Sequence, residues 1–543
     1  MYAICRLRLH DQPQEMASGL HRHVIAVIAL ALCSIAPMAL AATISVNTTA
    51  DVVAVDGQCS LREAITAVNK QAASGNLTGE CAAGDGNNDT VIIPTGSHIL
   101  ALAGIDEDNN ATGDLDIRAN ITLQGAGMGA TIVDANGIDR VIHIPVGALA
   151  VHFNDLSLIN GHAPDSATST GESGGAISIP NGANLFLTNV ELSGNRSGNG
   201  AGGSSTAFSG GSGGAIFTNG GTLLLSSCSV HDNSSGTGGS VSGMFGFAGS
   251  GGNGGALASS GANVGIELTA FERNQTGNGG GGGMIGGPSG FGGAVYANGG
   301  SVTVLQAVFD SNHTSAQADG GPGAGGGLFV YNATTRITQT SITRNAAFDG
   351  GGLDSGDSSL TLNNLTLSGN FAGQFGGGLF VFGGSGQLDF VTLSANQASG
   401  DSGGARIENG NSGAATVSFR NSIVSGNSAP SLPDCNVFGG NTLVSQGYNL
   451  AGNGCPANAV GDLATTNPHL GPLGDNGGVG LTQMPAPSGL AVDGGNCLAS
   501  NTSADERGHQ RFIDVPRAPD AADACDIGAV ELDDDIFWDG FGR

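Results

Sequence analysis

From residue 150 to residue 430 the chain alternates apolar and small polar residues in short runs. The shortest full unit runs from Gly351 to Gly377 and contains Leu360-Thr-Leu-Asn-Asn-Leu-Thr-Leu367. A period of two is the mark of a strand with one buried face. Helix caps and a 3.6-residue period are missing from this region. The runs are punctuated by two recurring phrases. One ends in asparagine, at Asn195, Asn233, Asn274, Asn312, Asn345, Asn370, Asn396 and Asn427. The other is Gly-Gly followed by Ala or Leu, starting at Gly174, Gly213, Gly254, Gly292, Gly326, Gly351, Gly377 and Gly403. The asparagines lie 25 to 41 residues apart. Self-similarity at that period predicts a solenoid whose repeats stack on their neighbours. About 25 residues per unit suits one coil of a parallel β-helix, with roughly a dozen coils in all.

Both phrases have a physical reason. Asparagine tolerates the left-handed conformation of a sharp turn. Its amide also donates and accepts, so asparagines stacked at strand spacing can bond to one another as a ladder. Glycine pairs let the chain bend where a β-carbon would collide. The early repeats are longer than the later ones, and the excess always falls between the asparagine and the next Gly-Gly. These inserts span Gly202–Gly211, Ser234–Gly252 and Gly277–Gly290, and they carry Phe208, Met244, Phe245, Phe247, Met284 and Ile285. If the coils stack in register, the inserts emerge on one side as a fringe of contact loops, or else fold back on their own coils.

Composition narrows the class. There are 543 residues, 97 of them glycine, without a three-residue period, so the chain is a repeat protein and not collagen. A net charge of −28 argues against nucleic acid and anionic membranes. Arg22 and His23 precede an apolar run from Val24 to Ala36, then Ala39-Leu40-Ala41, which reads as a signal peptide over 1–41. No later stretch is long and apolar enough to span a membrane as a helix. In an oxidising compartment the near pairs Cys59 with Cys81, Cys435 with Cys455 and Cys497 with Cys525 predict three disulfides outside the repeats. Cys228 is left over, as a buried core thiol.

An open β-helix needs caps at both ends. Residues 42–99 supply one, with Ser60 and Glu63 forming a capping box ahead of an apolar stripe at Ala64, Ile65 and Val68. Here Cys59-Ser-Leu-Arg-Glu-Ala64 resembles the hallmark of the CSLREA-domain family of secreted bacterial proteins. Gly113-Asp-Leu-Asp-Ile117 and Ile121-Thr-Leu-Gln-Gly-Ala-Gly127 resemble the first coils of the same proteins. The repeats resemble the pectin-lyase-like superfamily and, in pattern, the polymorphic outer-membrane proteins. Ser445-Gln-Gly-Tyr-Asn-Leu450, Asn467-Pro-His-Leu-Gly-Pro-Leu473, Asp505-Glu-Arg-Gly508 and Cys525-Asp-Ile-Gly-Ala-Val-Glu531 resemble the choice-of-anchor Q region. The resemblance implies an all-β, right-handed parallel β-helix over 100–430, with a short helical N-terminal cap and a disulfide-containing C-terminal cap over 431–532. It also implies export. Residues 533–543, acidic then aromatic, stand where related proteins carry sorting or anchoring signals.

Catalytic chemistry is sparse in this reading. Arg273, Arg344 and Arg406 fall on different coils without a carboxylate cluster at matching repeat positions. Gly161-His162 lacks the second glycine of polygalacturonase-like sites, and Gly508-His509 falls in the C-terminal cap. His143 and His231 read as packed or surface residues. The best cation candidate is the loop 106–116, where Asp106, Asp108, Asn110 and Asp114 offer hard oxygens to calcium. The expected role is that of an exported, outer-membrane-associated surface protein in adhesion, glycan contact or envelope structure, its partners polysaccharide, a host or cell surface, and a sorting machinery. The alternative is a polysaccharide lyase or glycoside hydrolase.

Overall fold

The computed structural model describes residues 41–105, 107–283, 285–315, 321–500, 502–515 and 521–532. Residues 1–40, read above as part of a signal peptide, and the 533–543 tail lie outside them. The described chain is a parallel β-helix, all but one of whose substantial elements are strands. Two long parallel sheets of 21 and 11 strands run along it, with a short 3-stranded sheet on a third side.

From Gly174 to Gly403 each Gly-Gly phrase leads into a strand of the 11-stranded sheet, such as Leu353–Gly356, which pairs with Leu328–Tyr331 and Leu379–Phe382. The chain then enters the 21-stranded sheet through long strands such as Thr334–Thr343, Ser359–Ser368 and Ser385–Ser394. Each of these bends at one residue in the left-handed region, Gln339, Asn364 or Phe390. Inward residues stack in columns. Leu192, Val230, Phe271, Phe309, Ile342, Leu367, Leu393 and Val424 make one, in strict register from coil to coil. Within it the rings of Phe271 and Phe309 stack at 5.1 Å. A single hydrophobic cluster extends from Ile44 to Cys435, so burial of each coil's apolar face depends on its neighbours.

The asparagines close the next corner. Nδ2 of Asn195, Asn233, Asn274, Asn312, Asn345, Asn370 and Asn396 each donates to Oδ1 of the next asparagine, at 2.9–3.1 Å. The second amide hydrogen goes to a main-chain carbonyl, as from Asn312 to Phe271. The ladder ends on Asp434, whose Oδ1 accepts from Asn427, and an acceptor without a donor suits the last rung. The left-handed turn expected at the asparagines lies one residue earlier, at Gly194, Asp232, Arg273, Ser311, Arg344, Gly369, Ala395 and Gly426. The asparagine itself keeps an ordinary backbone and spends its side chain on the ladder.

Helix α1 (Leu61–Lys70) covers the N-terminal end, with the Ser60–Glu63 capping box formed. Ala64, Ile65 and Val68 are fully buried. Arg62 is buried too, pairing with Asp51 at 2.7 Å and donating to the carbonyls of Gly113 and Asp114. The N-terminal segment is more than a lid, because Thr43–Ser45 and Asp89–Ile92 join the 21-stranded sheet ahead of Ile121–Gln124. At the other end the stack runs past residue 430, through Cys435–Val437, Thr442–Ser445 and Leu450–Ala451. The chain then turns back along the outside of the late coils. Asn364 donates to the carbonyl of Ala504, Thr366 to Glu506, and the buried Arg511 to Asn364, with its guanidinium 3.9 Å over Phe390. Disulfides join Cys59 to Cys81, Cys435 to Cys455 and Cys497 to Cys525. Cys228 is a buried free thiol, pushed up to about 11 by burial.

Candidate functional site

The three inserts form one layered body. Each leaves its coil and returns in extended passages that stack on the passages of the neighbouring inserts. Gly210 N–H donates to the carbonyl of Ser250, Gly238 to that of Asn278, and Gly251 to that of Pro288, at 2.8–2.9 Å. The packing is so close that a β-carbon on Gly236 would sit 1.8 Å from the Gly198 carbonyl oxygen, and one on Gly252 would sit 1.7 Å from that of Gly211. Nothing larger than glycine fits these positions, which explains the composition of the inserts.

At the outer end, Thr206, Phe247 and Ile285 lie side by side through isolated parallel bridges. Ala201, Ala207 and Val241 are buried beneath. Five large apolar residues face outward: Met244 is 79% exposed, Phe245 77%, Phe247 56%, Ile285 53% and Phe208 40%. Met284 lies outside the described residues. A cluster of exposed apolar side chains on an ordered scaffold is the usual mark of a contact surface.

The calcium loop is not assembled as expected. Asp106 lies outside the described residues. The Asn110 side chain is buried, its amide donating to the Arg62 carbonyl at 2.8 Å and to Thr66, while its oxygen accepts from the Asp116 N–H. Asp114 is buried against Arg140 at 3.3 Å. The Asn110 side chain docks helix α1 onto the first coils, and the Asp114 carboxylate is taken by Arg140. Asp108 stays outside these contacts, and its carboxylate faces Asp116 and His143.

The absence of a carboxylate cluster around the coil arginines is also corrected. Arg406 pairs with Asp401 at 2.9 Å and with Glu408, and it lies between the rings of Phe375 and Phe438, 4.8 and 5.0 Å from their centroids. Asp354 and Phe380 are in register with Arg406 on the 11-stranded sheet, and Asp349 and Phe375 with Asp401 at the preceding corner. The signal was in the sequence. Asp349 and Asp354 flank one Gly-Gly phrase at the same offset as Asp401 and Arg406 flank another, so alignment on the glycines superposes them.

Burial raises the Asp349 carboxyl to about 6, with Glu408 adding to the rise, and burial pushes Asp354 well above the usual carboxylate range. Carboxyls held at different protonation states can serve acid–base chemistry. Asp354, however, is 1% exposed between Phe329 and Phe380, and the Arg406 charge is already neutralised. On a different face, Arg273 pairs with Asp232 and Arg344 with Asp310 at 2.9 and 2.6 Å, and His231 bridges Glu191 and Asp232. These exposed pairs form a ladder along the coils, each contributing little alone.

No family model and no curated protein matches the chain. Among solved structures it is similar to the A-module of the mannuronan C-5 epimerase AlgE6 of Azotobacter vinelandii, at 12% identity and a TM-score of 0.30 over 66% of this chain and 91% of that one. It is also similar to the catalytic unit of a thermostable GH87 alpha-1,3-glucanase from Streptomyces thermodiastaticus strain HF3-3, at 14% identity and a TM-score of 0.26 over 67% and 63% of the two chains. Likeness at this level carries no activity across. No helix among the described residues is long and apolar enough to cross a membrane.

Proposed function

We propose that this chain is an exported surface protein that makes non-catalytic contacts, with a glycan or a cell surface, through its loop fringe. The observation that carries the reading is the apolar outer edge of the fringe, formed by Phe208, Met244, Phe245, Phe247 and Ile285 on a rigid glycine-packed support. A soluble surface does not gather such side chains without a use for them. Export is supported by the N-terminal apolar segment and by three disulfides, which belong to oxidising compartments. The likeness to CSLREA-domain and choice-of-anchor proteins points the same way, and the 533–543 tail is where a sorting machinery would engage.

The test is binding of the purified chain to immobilised acidic and neutral polysaccharides and to whole cells, against a Phe245→Ser/Phe247→Ser variant. Both positions are exposed, so the fold is expected to persist. Loss of binding by about tenfold, one strong contact's worth of free energy, supports the fringe. Equal binding by the variant overturns it.

The acidic corner at Asp349, Asp354 and Asp401 favours a second reading, a polysaccharide hydrolase or lyase. It predicts release of new reducing or unsaturated ends from the same polysaccharides, abolished in Asp349→Asn. Absence of any release across the panel excludes it for those substrates.

A further inference from the structure

We propose that Asp108, Asp116 and His143 form a binding site for one divalent transition metal of the zinc type, at the N-terminal end of the solenoid. The three come together through the fold and not through a motif. Asp116 ends the strand Leu115–Asp116 and His143 ends Ile142–His143, and the two residues are direct partners across the parallel ladder. Leu115 and Ile142 are fully buried in the core. Alternation therefore turns Asp116 and His143 to the outer face together. The loop that leads into Leu115 lays Asp108 across them. Arg118 holds that loop by donating to the main-chain carbonyl of Asp108 at 2.6 Å, which leaves the Asp108 carboxylate free to face inward.

Two of the three spacings match those between ligands of one metal ion. His143 Nδ1 lies 3.3 Å from Oδ1 of Asp108 and 3.3 Å from Oδ1 of Asp116, and the three atoms all lie within 4.8 Å of one another. A charge-assisted imidazole–carboxylate bond closes to about 2.7–2.9 Å. Neither contact does so. The edge of a tetrahedron with metal–ligand bonds of about 2.0–2.1 Å is about 3.3 Å.

A second observation points to a ligand. The Asp116 side chain is 0% exposed, and while Oδ2 accepts from the Asn110 N–H at 2.8 Å, Oδ1 has no hydrogen-bond partner. A buried carboxylate oxygen without a donor is costly. This one lies 3.3 Å from His143 Nδ1 and within 4.8 Å of a carboxylate oxygen of Asp108. One imidazole nitrogen and two carboxylates would balance a divalent ion, and the Asp108 side, 58% exposed, leaves a fourth position open to water. The donor set also selects the metal. Calcium takes six to eight oxygens, and the loop oxygens of Asn110 and Asp114 that would supply them are engaged elsewhere. A mixed nitrogen–oxygen set of three suits zinc.

The place explains the use. The two strands concerned are each two residues long, their pairing is as short as any in the 11-stranded sheet, and among the described residues no asparagine rung or disulfide ties the first coils together on this side. A bound ion would pin both strands and the capping loop in one step.

The experiment is a zinc titration of the full mature chain after chelator treatment, by calorimetry, with cobalt as a spectroscopic substitute and calcium as competitor. His143→Ala and Asp108→Ala are the variants. Asp108 is exposed, so its variant decides the matter even if His143→Ala fails to fold. The expected result is one zinc per chain, visible cobalt bands of a tetrahedral site, no displacement by calcium, and affinity lowered at least ~10-fold in each variant. No zinc uptake at micromolar concentration overturns the proposal. So does uptake that both variants retain, which would place the ion on other histidines, and so does preferential binding of calcium.

Discussion

At the scale of a residue, the ladder asparagines do the work of a covalent rung. Asn312 Oδ1 accepts both the main-chain and the side-chain N–H of Asn274, and its own amide donates to Phe271 and Asn345. All of these atoms are buried, so Asn312→Ala leaves two donors on Asn274 with neither partner nor water. Orphaning a buried donor costs about 1–3 kcal/mol, so a loss of about 2–6 kcal/mol is expected. Asn312→Asp should be as harmful, since a carboxylate cannot donate to the Phe271 carbonyl or the Asn345 oxygen. Asp is tolerated at the end of the ladder because Asp434 has only donors to meet, from Asn427 and Asn453. Denaturant unfolding checks the pair of mid-ladder variants; a shift of the asparagine-to-alanine variant below ~1 kcal/mol would show that the rungs are dispensable.

At the scale of an element, the fringe depends on main-chain contact distances that only glycine allows. Gly236→Ala with Gly252→Ala places β-carbons against carbonyl oxygens that lie 1.8 and 1.7 Å away. The layered passages should separate while the sheets remain. Limited proteolysis should then cut within 234–252 much faster than in the parent chain, by about tenfold or more for ~1.4 kcal/mol of local destabilisation, with an unchanged β-sheet circular dichroism signal. Resistance equal to the parent's would mean that the passages do not touch. The inserts were legible in the sequence as a one-sided fringe because the phrases on either side of them repeat and fix the register. The same phrases made the strands, the core columns and the cap helix readable. Where phrases fail, so did the reading. Residues 100–160 carry no Gly-Gly marker to align, so nothing in the sequence placed Asp116 beside His143. In the sequence Asn110 and Asp114 look like surface oxygens, until the helix that Asn110 anchors and the Arg140 that pairs with Asp114 are in place. The Asp349 to Arg406 corner was missed for another reason. Its residues are of different types at equivalent positions, so a search for like residues passes over a cluster that a search by position finds.

At the scale of the whole molecule, acidity is divided between two environments. Exposed carboxylates such as Asp232, hydrogen-bonded to Arg273, and Asp155, hydrogen-bonded to Asn189 and Gln124, are held below the ordinary 3.8. Their contribution is present above that value and is lost as pH falls through the folded pKa. Buried carboxyls behave in the opposite sense. Burial lifts Asp349 from 3.8 to about 6 and Glu531 from 4.5 to about 7, and it lifts Asp354, Glu506 and Asp526 well above their ordinary values. The folded chain binds these protons more tightly than the unfolded one, so their stabilising effect is complete below about 4 and fades as pH rises through 6 and 7. Self-repulsion in a chain of net charge −28 acts in the same direction. The two limbs meet on the acidic side. The thermal midpoint should be highest near pH 4–5 and fall steadily toward pH 8, unlike the near-neutral optimum common in proteins. Glu506→Gln removes one of the buried protons from the balance. It keeps an oxygen for the Thr366 hydroxyl, which donates to Glu506 at 2.6 Å, and it should lessen the decline toward pH 8. A thermal midpoint that rises from pH 5 to pH 8 would mean that these carboxyls reach solvent. The acid-loving interior would then be wrong, and with it the picture of a C-terminal segment sealed against the coils.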